Sequence, residues 1–232
     1  MSVRLIAATQ PKITNTGNNP VAGNSAPMMT VDEFVAYVAR VSNPSNQSKA
    51  LTPEKLLKYL AKHKHWSPFE MVNIVMEIET TRDIARQILR HRSFAFQEFS
   101  QRYADPTQDL GFVTREARLQ DIKNRQNSIE TNDTILESAW IDWQQDVTNL
   151  AIKSYNWAMK NGIAKEQARA VLPEGLTVSR MYMNGTLRSW IHYCAIRTGA
   201  ETQKEHREIA IDAWYFIMNE FPSLKDALNI GE

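Results

Sequence analysis

The sequence predicts an α+β fold, in which one helix-rich domain carries a small, mostly antiparallel sheet. Apolar residues recur at helical spacing in several segments between residues 31 and 220. Alternation of apolar and polar residues, which is typical of strands, is confined to 2–7 and 71–79. The length of 232 residues suits a single domain, so we expect 1–232 to fold as one unit.

The first third of the chain contains recognisable starts of helices and strands. Alternation predicts a weak strand over 2–7, and the Pro, Gly and Asn residues of 9–29 predict a long loop. Thr30 and Glu33 have the spacing of a capping box, which indicates that a helix follows. A second helix is expected to begin near Thr52-Pro53, with Thr52 as N-cap and proline at the first helical position.

The clearest strand covers 71–79, and Thr80 or Thr81 is expected to cap a helix that runs to about His91. Residues 105–135 are polar and weakly periodic, which favours a variable excursion at the surface. A long amphipathic helix is predicted up to about Lys160, with an apolar stripe formed by Trp140, Trp143, Val147, Leu150 and Ala151. Shorter helices are predicted near 164–171, 187–197 and 203–220.

Composition excludes several classes of function. With 8 Gly and neither a G-x-G-x-x-G nor a G-x-x-x-x-G-K-[ST] pattern, the two common Gly-rich phosphate loops are absent from the sequence. The single cysteine, Cys194, excludes an intramolecular disulfide and a zinc site built on cysteines. The net charge of +1 argues against non-specific binding of nucleic acid. No apolar run approaches a membrane span and the N-terminus does not resemble a signal peptide, so we expect a cytoplasmic protein.

The stretch 82–102 carries five arginines and no lysine. On a helix, Arg82, Arg86 and Arg90 would share one face, where like charges repel by about 0.2–0.5 kcal/mol per pair. An anionic partner should therefore lie beside them. It could be a carboxylate of the chain such as Glu77, Glu79 or Asp83, an anionic small molecule, or the backbone of a nucleic acid.

One motif within this stretch resembles a known family. Arg90-His91-Arg92 is separated by seven residues from Ser100, and this R-H-R-x7-S pattern is similar to that of the flavin-dependent thymidylate synthases. Further segments agree with the family in type and spacing: His65-Trp66-Ser67-Pro68-Phe69-Glu70, Glu98-x-Ser100-x-Arg102-Tyr103, Glu166-x-x-Arg169-x-x-Leu172-Pro173, and Arg188-Ser189 with Arg197. His192 and Gln97 stand where asparagine is common in the family.

The resemblance implies the thymidylate-synthase-complementing-protein fold and an enzyme that makes dTMP from dUMP. The implied carbon donor is 5,10-methylenetetrahydrofolate, the implied reductant is NADPH, and FAD relays the hydride. A homotetramer with active sites shared between subunits is also implied. Enzymes of this family use no cysteine nucleophile, and the sequence agrees because Cys194 lies in an apolar helical stripe that favours burial.

The resemblance also implies site residues. Arg197 is the expected catalytic group, because its fixed charge beside the pyrimidine would favour ionisation at N3. The expected dUMP contacts are Gln87, Ile88, Leu89, Arg90, Glu98, Phe99, Ser100, Gln101, Arg102, Arg169 and Arg197. The expected FAD contacts are His65, Ser67, Arg90, His91, Arg92, Glu98, Thr186, Leu187, Arg188 and His192.

Two other hypotheses follow from the same residues. A metal could bind His63-x-His65, but no other histidine has a paired spacing, and we expect no metal site. A nucleic-acid-binding module could use the arginines of 82–102 on phosphates and Phe94, Phe96 and Phe99 on bases. The near-neutral charge and the lack of a second basic cluster argue against that module, so no nucleic-acid partner is expected.

Overall fold

The computed structural model describes residues 1–14, 27–47 and 53–225, together with Leu228 and Ile230. The strands of these residues are β1 (Ser2–Ala8), β2 (Asn73–Thr81), β3 (Ala95–Glu98), β4 (Arg118–Gln120), β5 (Ser128–Glu130) and β6 (Val178–Thr186). The helices are α1 (Val31–Ala39), α2 (Pro44–Gln47), α3 (Pro53–Lys62), α4 (Arg82–Ile88), α5 (Pro106–Asp109), α6 (Thr134–Lys160), α7 (Lys165–Ala168), α8 (Leu187–Arg197) and α9 (Lys204–Glu220). Short 3₁₀ turns cover Ser67–Met71, Arg169–Val171 and Pro222–Leu224. The predicted α+β class is confirmed.

A four-stranded antiparallel sheet in the order β1-β2-β6-β3 is the frame of the protein. Alternate residues of β2, namely Ile74, Met76 and Ile78, are fully buried, as a strand with one covered face requires. Strand β6 was not predicted from the sequence, although buried Met181 and Met183 alternate there with exposed residues. Two methionines surrounded by Arg, Tyr, Asn and Gly give a weak strand signal, and the pairing with β2 decides the conformation.

Helices cover the buried face of the sheet, and hydrogen bonds anchor α8 on it. The indole Nε1 of Trp190 donates to the carbonyl of Ile74 at 3.1 Å, and the Leu187 amide donates to the carbonyl of Val72 at 2.8 Å. Trp190, Leu187 and Cys194 are fully buried in this layer. The helix therefore leaves β6 directly and is anchored on β2 by both packing and hydrogen bonds.

The helix starts follow the local signals. Thr30 and Glu33 form the predicted capping box: the Thr30 hydroxyl accepts from the Glu33 amide at 3.2 Å, and the Glu33 carboxylate accepts from the Thr30 amide at 2.8 Å. Proline opens α3 as predicted, whereas the expected N-cap Thr52 lies outside the described residues. Residues 15–26 of the predicted loop also lie outside them.

The prediction of a helix from Thr81 to about His91 is wrong at its end. Helix α4 stops at Ile88, and the amides of Arg90 and His91 bond to the carbonyls of Gln87 and Ile88, three residues back. This tightening turns the chain toward β3. Arg90 consequently does not continue a helical face with Arg82 and Arg86.

The region 105–135, predicted as a polar excursion, contains local structure. It includes α5 and the antiparallel β4–β5 hairpin, in which Leu119 pairs with Ile129. The Arg118 guanidinium of this hairpin forms an ion pair with the Glu205 carboxylate of α9, which ties the hairpin to the helical layer.

The long helix α6 ends at Lys160 as predicted, but most of its apolar stripe faces outward. Ala151 is buried, while Trp140, Trp143, Val147 and Leu150 are between 44% and 67% exposed. The buried side of α6 carries Gln144, Ala151, Tyr155 and Ala158 instead. Within the part of the chain that the structure describes, no helix is long and apolar enough to cross a membrane.

Gly185 lets the ring of Phe94 approach the backbone of β6 closely. A Cβ at this position would stand 2.4 Å from Cδ1 of Phe94. The Phe94 ring packs edge-on against Trp190, with ring centroids 5.0 Å apart at 78°. The close approach of Phe94 to the β6 backbone therefore depends on glycine.

We expect the substitution Gly185→Ala to destabilise the protein by about 1–3 kcal/mol, because Phe94 must leave its place against Trp190. The free energy of unfolding in urea measures this. Gly175→Ala is the matched control, since a Cβ at Gly175 meets nothing within 4 Å. Equal stability of the two variants would contradict the close packing of Phe94.

Candidate functional site

Three segments meet at the start of α8. The Thr186 hydroxyl caps this helix by accepting from the Ser189 amide at 3.2 Å. The Ser189 hydroxyl donates to the carbonyl of Ser93 at 3.2 Å, which attaches the loop after α4. The Arg188 guanidinium pairs with the Glu70 carboxylate, which attaches the turn Ser67–Met71. The segments of His91, Ser67 and Arg188, far apart in sequence, are thus brought together.

Two cations in this region remain free of carboxylates. The side chains of Arg90 and Arg92 are exposed, and neither makes an ion pair with any residue that the structure describes. Unpaired guanidinium groups beside a helix N-terminus are suited to a phosphate group, which accepts their N–H groups in pairs. The chemistry of this donor set fits an anionic ligand such as a dinucleotide.

His91 lies between the two arginines and is bonded to a third. The Nε of Arg197 donates to Nε2 of His91 at 3.0 Å, so the imidazole nitrogen acts as an acceptor. Burial, followed by the charges of Arg197 and Arg90, lowers the pKa of His91 below its ordinary value. The ring is therefore neutral near pH 7, and it fixes the guanidinium of Arg197 at the last residue of α8.

The arginine face of α4 has its anionic partners within the chain. The Arg86 guanidinium lies 3.4 Å from the Glu98 carboxylate, and Arg82, which is buried, lies 3.4 Å from the carboxylate of Glu174. Ser179 donates its hydroxyl to the other oxygen of Glu98 at 2.9 Å. The three carboxylates that the sequence suggested as partners bind other arginines instead. Glu77 binds Arg4, Glu79 binds Arg180 and Asp83 binds Arg115.

A second group of arginines surrounds Glu166. The Arg102 guanidinium lies 3.1 Å from the Glu166 carboxylate, and Nε of Arg169 donates to the backbone carbonyl of Glu166 at 3.3 Å. The hydroxyl of Ser100 accepts from the Arg102 amide at 3.4 Å. Ser100, Arg102 and Arg169 are therefore close neighbours.

Burial restricts what some predicted site residues can offer. The side chains of Ile88 and Leu187 are fully buried, which leaves only backbone atoms for a ligand. Phe99 uses its amide to bond the Arg180 carbonyl at 2.8 Å. Gln101 is 3% exposed, and its Nε2 has no hydrogen-bond partner in the structure. Such an orphaned buried donor costs about 1–3 kcal/mol unless a ligand or water satisfies it.

His63 and His65 form an aromatic group with Tyr59. The ring of His65 lies 6.0 Å from those of Tyr59 and His63, while the neighbouring Trp66 packs edge-on against His192 at 5.0 Å. Burial and the charge of Arg188 lower the pKa of His192. Among the residues that the structure describes, no three His, Cys, Asp or Glu side chains are grouped to hold a metal ion.

The expected site residues form two groups within the chain. One contains His91, Arg188 and Arg197 around α8, and the other contains Ser100, Arg102 and Arg169 beside Glu166. The side chain of Arg90 forms no ion pair with either group among the described residues. No hydrogen bond or ion pair among the described residues joins Arg197 to Ser100, Arg102 or Arg169.

Several residues beside the site were missed in the sequence. Glu174, which pairs with Arg82, is 92 positions away from it, and no local spacing indicates that pair. Tyr193 and His206, both buried, lie behind His91, and the Tyr193 ring meets the His91 ring edge-on at 5.0 Å. A histidine on an apolar helix face is the only sequence signal for His206.

The chain is similar in sequence to proteins of a known family. A family model described as thymidylate synthase complementing protein matches residues 27–223. The chain is 43% identical over 229 residues to a probable flavin-dependent thymidylate synthase of Paramecium bursaria Chlorella virus 1, with 99% of each chain covered. It is 45% identical over 228 residues to a flavin-dependent thymidylate synthase of Synechocystis sp., with 98% of this chain and 99% of the relative covered.

Solved structures show the same fold. The UMP/dUMP methylase PolB from Streptomyces cacaoi, crystallised with 5-Br dUMP, superposes with a TM-score of 0.76 over 97% of this chain and 93% of that chain. The identity between the two is 22%, so this likeness concerns the fold. Because the family match covers most of the sequence and the two relatives align over nearly their full length, the chain belongs to the thymidylate synthase complementing protein family.

Proposed function

We propose that this protein is a flavin-dependent thymidylate synthase that converts dUMP to dTMP. The carbon donor in this proposal is 5,10-methylenetetrahydrofolate and the reductant is NADPH. The names of the two full-length relatives support the reaction, and the motif residues of this chain support its assignment here. The observation that carries the proposal is the guanidinium of Arg197 fixed by the neutral imidazole of His91.

The proposed role of Arg197 is to activate the pyrimidine. Its guanidinium stays charged at all relevant pH values and has donors to spare after the single bond to His91. Placed beside the pyrimidine, these donors would stabilise the negative charge that develops on ionisation at N3, which makes C5 nucleophilic. Because His91 fixes Nε, the charge is preorganised and little reorganisation is needed during the reaction.

Nucleophilic catalysis by cysteine does not suit this chain. Cys194 is fully buried, and burial raises the pKa of its thiol well above the ordinary value. A protonated thiol in the core is neither reactive nor accessible. Activation through Arg197 is therefore the more consistent route to C5.

The residues at the start of α8 are suited to hold FAD. Arg90 and Arg92 would bind its phosphates, while Thr186, Arg188 and His192 would line the adjoining surface with Ser67 and His65. When bound, FAD supplies the hydride relay between the reductant and the transferred carbon. Glu98 was expected to contact both ligands, but its bonds to Arg86 and Ser179 favour a role in holding the loop.

The dUMP site is proposed at the residues around Ser100. Arg90, Arg102 and Arg169 would bind the phosphate, and the unpartnered amide of Gln101 would find an acceptor in the nucleotide. The phosphate would exchange with the Glu166 carboxylate at Arg102, since that ion pair is exposed and weak. The remaining expected contacts are Gln87, Ile88, Leu89, Glu98 and Phe99.

A nucleic-acid-binding module is less consistent with the structure. Such a module would present the arginines of 82–102 to a phosphate backbone. Arg82 and Arg86 are instead engaged by Glu98 and Glu174, which neutralise that face. We therefore retain the enzyme as the proposal, with the cytoplasm as its compartment.

We also propose that the enzyme is a homotetramer with active sites shared between subunits. Among the described residues no hydrogen bond or ion pair joins Arg197 to Ser100, Arg102 or Arg169, which agrees with a site completed by a second chain. Helix α6 offers a surface for assembly, since apolar residues follow one another at intervals of three and four along its exposed side. These apolar residues are Leu136, Trp140, Trp143, Val147, Leu150 and Trp157. Ser154, between Leu150 and Trp157, is the one polar residue in the series.

Titration of the FAD-loaded protein with dUMP tests the proposed function. We expect the two visible absorption bands of oxidised flavin to shift as dUMP binds, because both ligands are placed at neighbouring residues. Release of tritium from dUMP labelled at C5 would then report turnover. A protein that takes up no FAD, and purifies instead with nucleic acid, would support the nucleic-acid alternative.

Arg197→Lys should keep the fold and the flavin but reduce turnover by about 10²–10³-fold, because an ammonium cannot replace the paired donors of a guanidinium. Turnover is measured as dTMP formed, and flavin content from visible absorbance. Arg4→Lys is the matched control, since Arg4 lies on β1 in an exposed pair with Glu77. Near-normal turnover of Arg197→Lys would refute the assigned role.

Leu150→Glu should lower the molar mass in solution, because a charge on the apolar stripe of α6 disfavours contact with a second chain. Light scattering coupled to size-exclusion chromatography measures the mass. Asn156→Glu introduces the same charge on the opposite side of α6 and should leave the mass unchanged. An unchanged mass for both variants would place the subunit contacts elsewhere.

A further inference from the structure

A buried row of polar side chains connects α9, α8 and α4 behind the proposed site. The Nε2 of His206 lies 3.1 Å from the hydroxyl of Tyr193, and its Nδ1 lies 3.3 Å from Oε1 of Gln87. Nε2 of Gln87 donates onward to Oε1 of Gln203 at 2.8 Å. His206 is fully buried and Tyr193 is 1% exposed, so water cannot easily replace these bonds.

The direction of the hydrogen bonds follows from the donors available. Since the amide nitrogen of Gln87 donates to Gln203, its oxygen faces His206, and Nδ1 of His206 must carry the proton. The neutral ring then accepts at Nε2 from the Tyr193 hydroxyl. If Nε2 of His206 donated to the Tyr193 hydroxyl instead, the hydroxyl hydrogen would have no acceptor among the described residues. An unpaired donor of this kind is costly in a buried site.

The surroundings keep His206 neutral. Burial, followed by the positive charge of Arg197 and then by repulsion from His91 when that ring is protonated, lowers the pKa of His206 to about 3. The ring thus retains one donor and one acceptor throughout the physiological range. The ring cannot carry a proton in that pH range, but its fixed donor and acceptor can set the orientation of a neighbouring side chain.

His206 also adjoins the proposed catalytic group. Its ring lies 5.8 Å from that of Tyr193, whose edge-on partner is His91, and His91 accepts from Arg197. His206 is therefore hydrogen-bonded to Gln87, and only ring contacts connect it to His91, the residue that holds Arg197.

We propose that His206 is a positioning residue, which holds the side-chain amide of Gln87 in one of its two orientations and so strengthens binding of the nucleotide. The inference rests on the proposed function, in which Gln87 contacts dUMP. Gln87 uses one N–H on Gln203 and one oxygen lone pair on His206, and its second N–H remains available to a ligand. Without His206 the amide could rotate and present its oxygen instead.

The affinity for dUMP, measured by titration of the flavin spectrum, tests this role. His206→Leu should weaken binding by roughly three- to tenfold, the usual effect of one hydrogen bond, with little change in kcat. His206→Asn should recover most of the affinity, because its amide can donate to Gln87 from nearly the place of Nδ1. Flavin content should be the same in both variants.

A double-mutant cycle separates positioning from a structural effect. In a Gln87→Ala background, His206→Leu should weaken dUMP binding no further, since His206 acts through Gln87. Tyr193→Phe offers a gentler second variant if His206→Leu folds poorly; it should weaken binding only while Gln87 is present. Additive losses, or His206→Asn as weak as His206→Leu, would overturn the positioning role.

The outcomes also distinguish this inference from the proposed function. If the wild-type protein, His206→Leu and Tyr193→Phe all bind dUMP with the same affinity, the positioning role is refuted and the proposed function stands. Wild-type protein that fails to bind dUMP refutes the proposed function, and the inference with it.

Discussion

The attachment of α8 to strand β2 is the constraint on which the rest of the site depends. The indole of Trp190 bonds to the carbonyl of Ile74 in β2, and the amide of Leu187 bonds to the carbonyl of Val72, the residue just before β2. Both helix residues are fully buried, in a layer that excludes water. Buried hydrogen bonds of this kind allow little sliding, because any shift would leave a polar group unpaired. The first residues of α8 are thereby fixed against the loop after α4, and the last residue, Arg197, is fixed against His91.

Charge is distributed so that only selected arginines stay available to ligands. Glu98 and Glu174 neutralise Arg82 and Arg86, which would otherwise repel each other on α4. Arg90, one turn later, has left the helix and has no such partner among the described residues. In the proposed function, the end of α4 at Ile88 separates the two arginines that pair with carboxylates of the chain from the arginines that would hold a phosphate.

Local signals predicted much of this architecture from the sequence. The capping box at Thr30, the alternation in β2 and the helical spacing of α9 depend on neighbours within one or two turns, and the structure confirms them. Strand β6 could not be predicted in this way, because its pairing with the distant strand β2 decides its conformation. The end of α4 was missed for a different reason: the bonds that tighten it are local, but no Gly or Pro between 82 and 92 marks it in the sequence. In the site, the motifs identified candidate residues but not their contacts.

The ion pair between Arg102 and Glu166 has a consequence for how tightly any anion can be held. The guanidinium already has a carboxylate partner at 3.1 Å, so an arriving anion exchanges one charged partner for another. The net gain in free energy is small, because the old pair must be broken as the new one forms. The same carboxylate can reclaim the arginine as the anion departs. An internal competitor of this kind limits residence time, which favours rapid exchange of ligands over tight retention.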